Sequence, residues 1–204
     1  MRIIELILDE DLEFNGVDAI SIVENPAIQS NFVALKDQSV RLAEVNKDKR
    51  ILLGAVLIPN KPILRNTDSE DYYIYFSKET VQKASQMYLR SGNQNNTSLE
   101  HQYKLNGLTL VESWIVDNEI YDKSRMYENT KNVPVGTWMG AVKVNDEKVW
   151  DTYVKEGIVH GFSIEGYFAD KAERPKESID EMLEDTQAKE TLSEIEKIIA
   201  RGLF

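Results

Sequence analysis

Short apolar runs bounded by turn residues dominate the first two thirds of the chain, a pattern of strands rather than long helices. Residues 2–8 (RIIELIL) read as a strand and residues 19–23 (AISIV) as a short second one. Asn25-Pro26 ends the second, because the residue before a proline is steered out of helix. Residues 36–50 are polar and read as a linker or an exposed turn of helix. Residues 51–58 (ILLGAVLI), closed by Pro59 and Pro62, suit a buried strand in which Gly54 marks a bulge or a close backbone approach. Residues 72–76 (YYIYF) form another strand.

The period then changes. Ser77 stands where a helix N-cap belongs, and Val81, Ala84, Tyr88 and Leu89 share one helical face. The polar stretch 91–97 (SGNQNNT) is a loop. Strands follow around 98–103 and 108–116, and Asn106-Gly107 between them is a hairpin signature. A mobile-looking loop, 117–135, precedes a strand over 137–144. Residues 146–156 (DEKVWDTYVKE) fit a short helix with Val149, Tyr153 and Val154 inward and Gly157 as its stop. Residues 159–168 (VHGFSIEGYF) are the last strand.

Beyond Pro175 the composition shifts. Ile179, Met182, Leu183, Leu192, Ile195, Ile198 and Ile199 recur at helical spacing among acidic residues. An acidic amphipathic helical extension over 176–204 is expected, following one main domain over 1–175. The order of strands, helix, strands, helix, strand and helix predicts an α+β fold rather than a βαβ alternation.

Composition narrows the function. With 204 residues, of which 42% are hydrophobic and 29% charged, the chain is ordinary globular material. A net charge of −11 argues against a nucleic-acid-binding face, which needs clustered Lys and Arg. The absence of cysteine removes disulfides, thiolate metal sites and thiol catalysis, and two histidines make a His-rich metal site a poor expectation. The first sixteen residues turn acidic within nine and lack the pattern of a secretory leader, and no apolar run reaches the ~20 residues of a membrane span. An intracellular protein with no cofactor, no metal and no membrane association is expected.

The sequence contains no phosphate loop, dinucleotide turn, HExxH or GxSxG. What remains is His101, His160, Ser163 and the acids near them. Ser163 lies in a strand between Gly161 and Gly166, and glycines allow another backbone or a substrate to come close. Alternation puts Ser163 and Glu165 on one face and His160, Phe162 and Ile164 on the other. His160 is thus poorly placed to activate Ser163, whereas His101, on another strand, can reach it across a sheet. Serine is a weak nucleophile until an imidazole takes its proton, and the imidazole works best when a third group orients it. Glu165 and Glu112 are the candidates for that third role, with Asp170 behind them. Set against this is a plainer reading, a surface histidine and a strand serine bonded to a backbone carbonyl.

Seven blocks occur in one order: 51–59 (ILLGAVLIP), 72–80 (YYIYFSKET), 99–101 (LEH), 111–116 (VESWIV), 133–139 (VPVGTWM), 149–150 (VW) and 161–166 (GFSIEG). Together with residues 16–27 (GVDAISIVENPA) they resemble the XkdF-type phage serine proteases, relatives of tailed-phage prohead maturation proteases, over residues 16–168. The resemblance implies an assemblin-like fold, a mixed, mostly antiparallel β-barrel flanked by helices. It also implies an endopeptidase that processes scaffold, major capsid or portal segments, and itself, inside the assembling prohead in the host cytoplasm. Carried onto this chain, the LEH histidine is His101 and the GFSIEG serine is Ser163. The third member is open, because the assemblin relatives use a second histidine and the only other one here, His160, precedes the serine. Glu165 is the first choice. A protease fold kept as a non-enzymatic scaffold or interior head protein is the alternative.

Overall fold

The longest apolar run does become the centre of the molecule. In the computed structural model, which describes residues 2–8, 16–27, 33–36, 48–66 and 70–174, strand β4 (Asp48–Leu57) lies between β3 (Val33–Lys36) and β10 (Trp138–Val144). With both faces covered, it needs apolar side chains at successive positions, and Leu52, Leu53, Ala55, Val56 and Leu57 are all buried. Trp138, Met139, Ala141 and Val144 on β10 are equally enclosed. Gly54 pairs with Gly140, and a Cβ on Gly140 would come within 2.8 Å of Leu110 and 2.9 Å of Val56. Of the two roles expected for Gly54, a bulge or a close backbone approach, the bulge falls instead at Val56, where β4 gains one residue opposite Trp138 and Met139.

Helix α1 (Lys78–Arg90) covers this core. The Ser77 hydroxyl accepts from the Thr80 N–H, as an N-cap does, and Val81, Ala84 and Tyr88 face inward. Leu89, expected on that face, is exposed, because the stripe is completed by Thr80 and Ser85. The Tyr88 ring meets Trp138 edge-on at 5.6 Å.

Three four-stranded sheets share the core. One runs β3-β4-β10-β9, with β9 at Leu108–Ile115. A second runs β12-β1-β6-β5, made from β12 (Ala169–Arg174), β1 (Arg2–Ile7), β6 (Asp71–Phe76) and β5 (Ile63–Asn66). The third runs β11-β2-β7-β8, made from β11 (Gly161–Tyr167), β2 (Gly16–Val23), β7 (Thr97–Leu99) and β8 (Tyr103–Leu105). Among the described residues only β1–β6 and β2–β7 pair in parallel, so the mixed, mostly antiparallel α+β character is as expected. The closed barrel is not. Closure requires the outermost strands of one continuous sheet to pair, and each of these sheets ends instead on open edges, several of them three or four residues long.

The hairpin expected at Asn106-Gly107 also does not form. Gly107 does take a positive φ of 79°, but β8 stays with β7 while β9 pairs along its whole length with β10. The turn therefore passes the chain from one sheet to another. The segment 146–156 begins as α2 (Glu147–Val149), capped by Asp146, and continues as a π-helical stretch over Trp150–Lys155 before Gly157 ends it at φ 65°. The loop expected to be mobile is cross-tied: Arg125 donates to the carbonyls of Lys131 and Val133 at 2.6 and 2.7 Å. Most of the linker expected at 36–50, and the acidic extension at 176–204, lie outside the described residues.

Candidate active site

The third sheet sets three serines in a row. Ser163 on β11 pairs with Ser21 on β2, and Ser21 pairs with Ser98 on β7. Directly paired residues project from the same face, so the three hydroxyl-bearing side chains line up across adjacent strands. Glu165, two residues on, shares that face. Phe162, Ile20, Ile22 and Leu99 take the opposite face and are buried in the core. A strand that buries one face and leaves the other partly exposed explains why GFSIEG alternates as it does.

His101 is not on a strand, contrary to the expectation that 98–103 runs straight through. The chain reverses between β7 and β8, closed by the Gln102 N–H donating to Leu99 O at 3.0 Å. Glu100 and His101 occupy the centre of this reversal with φ of 50° and 56°. Such a turn favours Gly or Asn, and an ordinary side chain held there costs on the order of 1 kcal/mol. Neighbours hold it in place. The Glu100 N–H donates to Ile22 O at 3.2 Å, and the Glu100 carboxylate accepts from the Glu24 N–H at 2.6 Å. The His101 N–H donates to Ser21 Oγ at 3.1 Å, and Ser21 Oγ donates in turn to Ser98 O at 3.3 Å.

This turn delivers the imidazole to Glu165. His101 Nδ1 lies 3.3 Å from Glu165 Oε1, and the same oxygen accepts a hydrogen bond from the Ser98 hydroxyl. With Nδ1 turned toward a carboxylate, Nε2 is the ring nitrogen left for exchanging a proton with a nucleophile. The imidazole is 41% and the carboxylate 34% exposed, so substrate and water have access. No hydrogen bond joins the Ser163 hydroxyl to His101 among the described residues. Catalytic hydrogen bonds often tighten only when substrate is bound.

The remaining candidates lie elsewhere. His160 is exposed just before β11 and is fixed only by its main chain, whose N–H donates to Val23 O at 2.8 Å. Glu112 is on a different sheet, in an ion pair with Lys123. Asp170 lies on β12, where it pairs with Leu6, and lines a pocket of about 320 Å³ that also reaches Ser163, Phe162, Ile164 and Arg65. Sequence reasoning passed over Ser21 and Ser98. Ser21 is the only polar residue within the run AISIV and is fully buried, which is the trace it left in the sequence.

Gly166 has a concrete reason to be glycine. A Cβ there would sit 2.0 Å from Gly16 O and 2.8 Å from Val17 Cα. This close passage coincides with the shift in the β11–β2 register after Glu165.

No curated protein and no solved structure matches the chain. Residues 39–173, more than half of the chain, match the family model described as "Putative phage serine protease XkdF", and with its GFSIEG strand and LEH turn converging on one sheet the chain belongs to that family.

Proposed function

We propose that the protein is a serine endopeptidase acting in phage head maturation, with Ser163 as nucleophile, His101 as base and then acid, and Glu165 as the group that orients the imidazole. The observation that carries this reading is the 3.3 Å approach of Glu165 Oε1 to His101 Nδ1, with Ser163 on the same strand face two residues before the carboxylate. In the reaction, His101 Nε2 takes the Ser163 proton as Oγ bonds to the scissile carbonyl carbon. The resulting oxyanion collapses and expels the amine, which receives that proton from the imidazolium. Water, deprotonated by His101, then attacks the acyl ester, and the proton returns to Ser163 as the carboxylic product leaves. Glu165 stays ionised throughout and stabilises the imidazolium. The substrates on this reading are scaffold and major capsid proteins, with portal segments and a second copy of the protease itself as further ones, met inside the assembling head.

Co-expression with the scaffold and capsid proteins of the same phage, followed by mass spectrometry of the fragments, tests it. Cleavage should occur with the native chain and vanish with Ser163→Ala, while the circular dichroism of the variant is unchanged. Fragments appearing at the native rate with Ser163→Ala would remove the nucleophile. The missing Ser163–His101 hydrogen bond favours a second reading, a protease fold retained as an interior head component. Absence of cleavage by the native chain, with normal incorporation into heads, would support it.

A further inference from the structure

Glu165 is on a strand edge and about one third exposed, a setting in which a carboxylate samples several rotamers unless something holds it. Ser98 is the candidate holder. It is only 7% exposed, and its hydroxyl donates to Glu165 Oε1, the same oxygen that faces His101 Nδ1. Ser98 is itself fixed by the parallel pairing of β7 with β2, through its register with Ser21, and its carbonyl accepts from the Ser21 hydroxyl. The two groups of the candidate pair are therefore held from one place: Ser21 grips the main chain of His101, while Ser98 grips the carboxylate opposite the ring.

We infer that Ser98 is a positioning residue of the catalytic apparatus, holding Glu165 so that the carboxylate fixes the Nδ1–H tautomer of His101 and leaves Nε2 bare as the proton acceptor. The inference rests on the proposed roles of Ser163, His101 and Glu165. Its chemistry is that of a shared acceptor. The Ser98 hydroxyl bonds to the carboxylate oxygen that lies 3.3 Å from the ring nitrogen, and a charge-assisted bond from a fixed hydroxyl restrains the direction of that oxygen. A hydroxyl bonded to a carboxylate and buried beneath it is not available for attack on a carbonyl, which separates Ser98 from the nucleophile. The nearby Glu100 carboxylate does not compete for the ring, since it is committed to the Glu24 N–H.

The chain has two histidines, so nitrogen-15 spectra of the imidazoles resolve His101 with His160 as an internal control. These spectra report directly which ring nitrogen carries the proton, in the full-length protein carrying Ser163→Ala so that no self-cleavage intervenes. Adding Ser98→Ala should move His101 from the Nδ1–H form toward the Nε2–H form, as adding Glu165→Gln does. Ser98→Thr, which keeps the hydroxyl, should retain the native form, and His160 should not change in any of them. In the chain with Ser163 intact, Ser98→Ala should lower kcat by about tenfold, the worth of one hydrogen bond to a charged group, with KM little changed. Combined with Glu165→Gln it should add nothing further.

A native tautomer in Ser98→Ala alongside an altered one in Glu165→Gln overturns the positioning role. So does an unaltered tautomer in both, since Ser98 then has nothing to position. Abolition of cleavage by Ser98→Ala to the level of Ser163→Ala also overturns it, by making Ser98 a reacting group. If the spectra behave as expected but the native chain cleaves nothing, the hydrogen-bonded relay stands and the protease reading falls.

Discussion

Glu165 is held by Ser98 from β7 and faces His101 from the turn beyond it, and this makes single substitutions in the candidate site informative. His101→Ala should be nearly as damaging to proteolysis as Ser163→Ala, and the double variant hardly worse, because the residues of one catalytic unit fail together. His160→Lys should cleave at the native rate, as that side chain is exposed and on the face opposite Ser163. Rates on one scaffold substrate, compared across these variants, check the assignment. A large loss in His160→Lys with its fold retained would move the base role. Gly166 offers a test of a different kind. Gly166→Ala places a methyl group 2.0 Å from Gly16 O, and backbone on both sides leaves nothing flexible to yield. It should destabilise the protein by about 3 kcal/mol or more, at the upper end of overpacking effects. Urea unfolding measures it, and a midpoint within error of the native one would contradict the close passage.

Among the elements, the central strands and α1 were legible in the sequence because burial on two faces, or on one helical stripe, leaves a dense apolar signature. The strands β3, β5 and β12 were not read. They are four to six residues long and at sheet edges, where polar residues such as the exposed Arg65 and Lys171 are tolerated. Asn106-Gly107 was read as a hairpin because local turn chemistry reports a reversal, not which sheet receives the next strand. The reversal at Glu100-His101 was hidden for the opposite reason: it holds left-handed residues without glycine or asparagine, and long-range contacts to β2 support it. For the site, strand parity identified Ser163 and Glu165 as neighbours. The barrel came from resemblance rather than from pattern, and it is the part that failed.

The edge strand β12 also shows how polar bonds secure an element that lacks a core. Glu5 on β1 accepts from the Tyr75 hydroxyl at 3.0 Å and lies 3.2 Å from Lys171 Nζ on β12. Burial by itself would raise the Glu5 carboxyl, but the bonds from Lys171, Tyr75 and Ser77 outweigh it and hold the group below its ordinary value of 4.5. A carboxyl depressed on folding contributes stability that is fully present above its unfolded value, about 4.3, and is lost as the pH falls through the folded one. Stability should therefore decline below about pH 5. Glu5→Gln should be less stable at pH 7 yet lose less on acidification, as urea midpoints at pH 7 and at pH 3.5 will show. Equal acid losses in both proteins would assign the sensitivity to other carboxylates.

Over the whole molecule, the row Ser163–Ser21–Ser98 joins three distant parts of the chain. Ser21 and Ser98 are 77 residues apart, and Ser98 and Glu165 are 67 apart. Pairings of such separation form late, because the entropy of closing long loops must be met before their contacts contribute. The site therefore has no local precursor: no hairpin or helix of this chain, folded alone, contains a working fraction of it. Activity and global structure should be lost together, with inactivation and fluorescence midpoints coinciding in urea. Inactivation well before the fluorescence change would show that the site opens on its own. On the proposed function, which encloses the protein with its substrates, this dependence is a form of timing. The proposed nucleophile and carboxylate are out of reach of His101 until β11, near the end of the described fold, has been synthesised and has found β2, so on that reading translation itself delays the first cut.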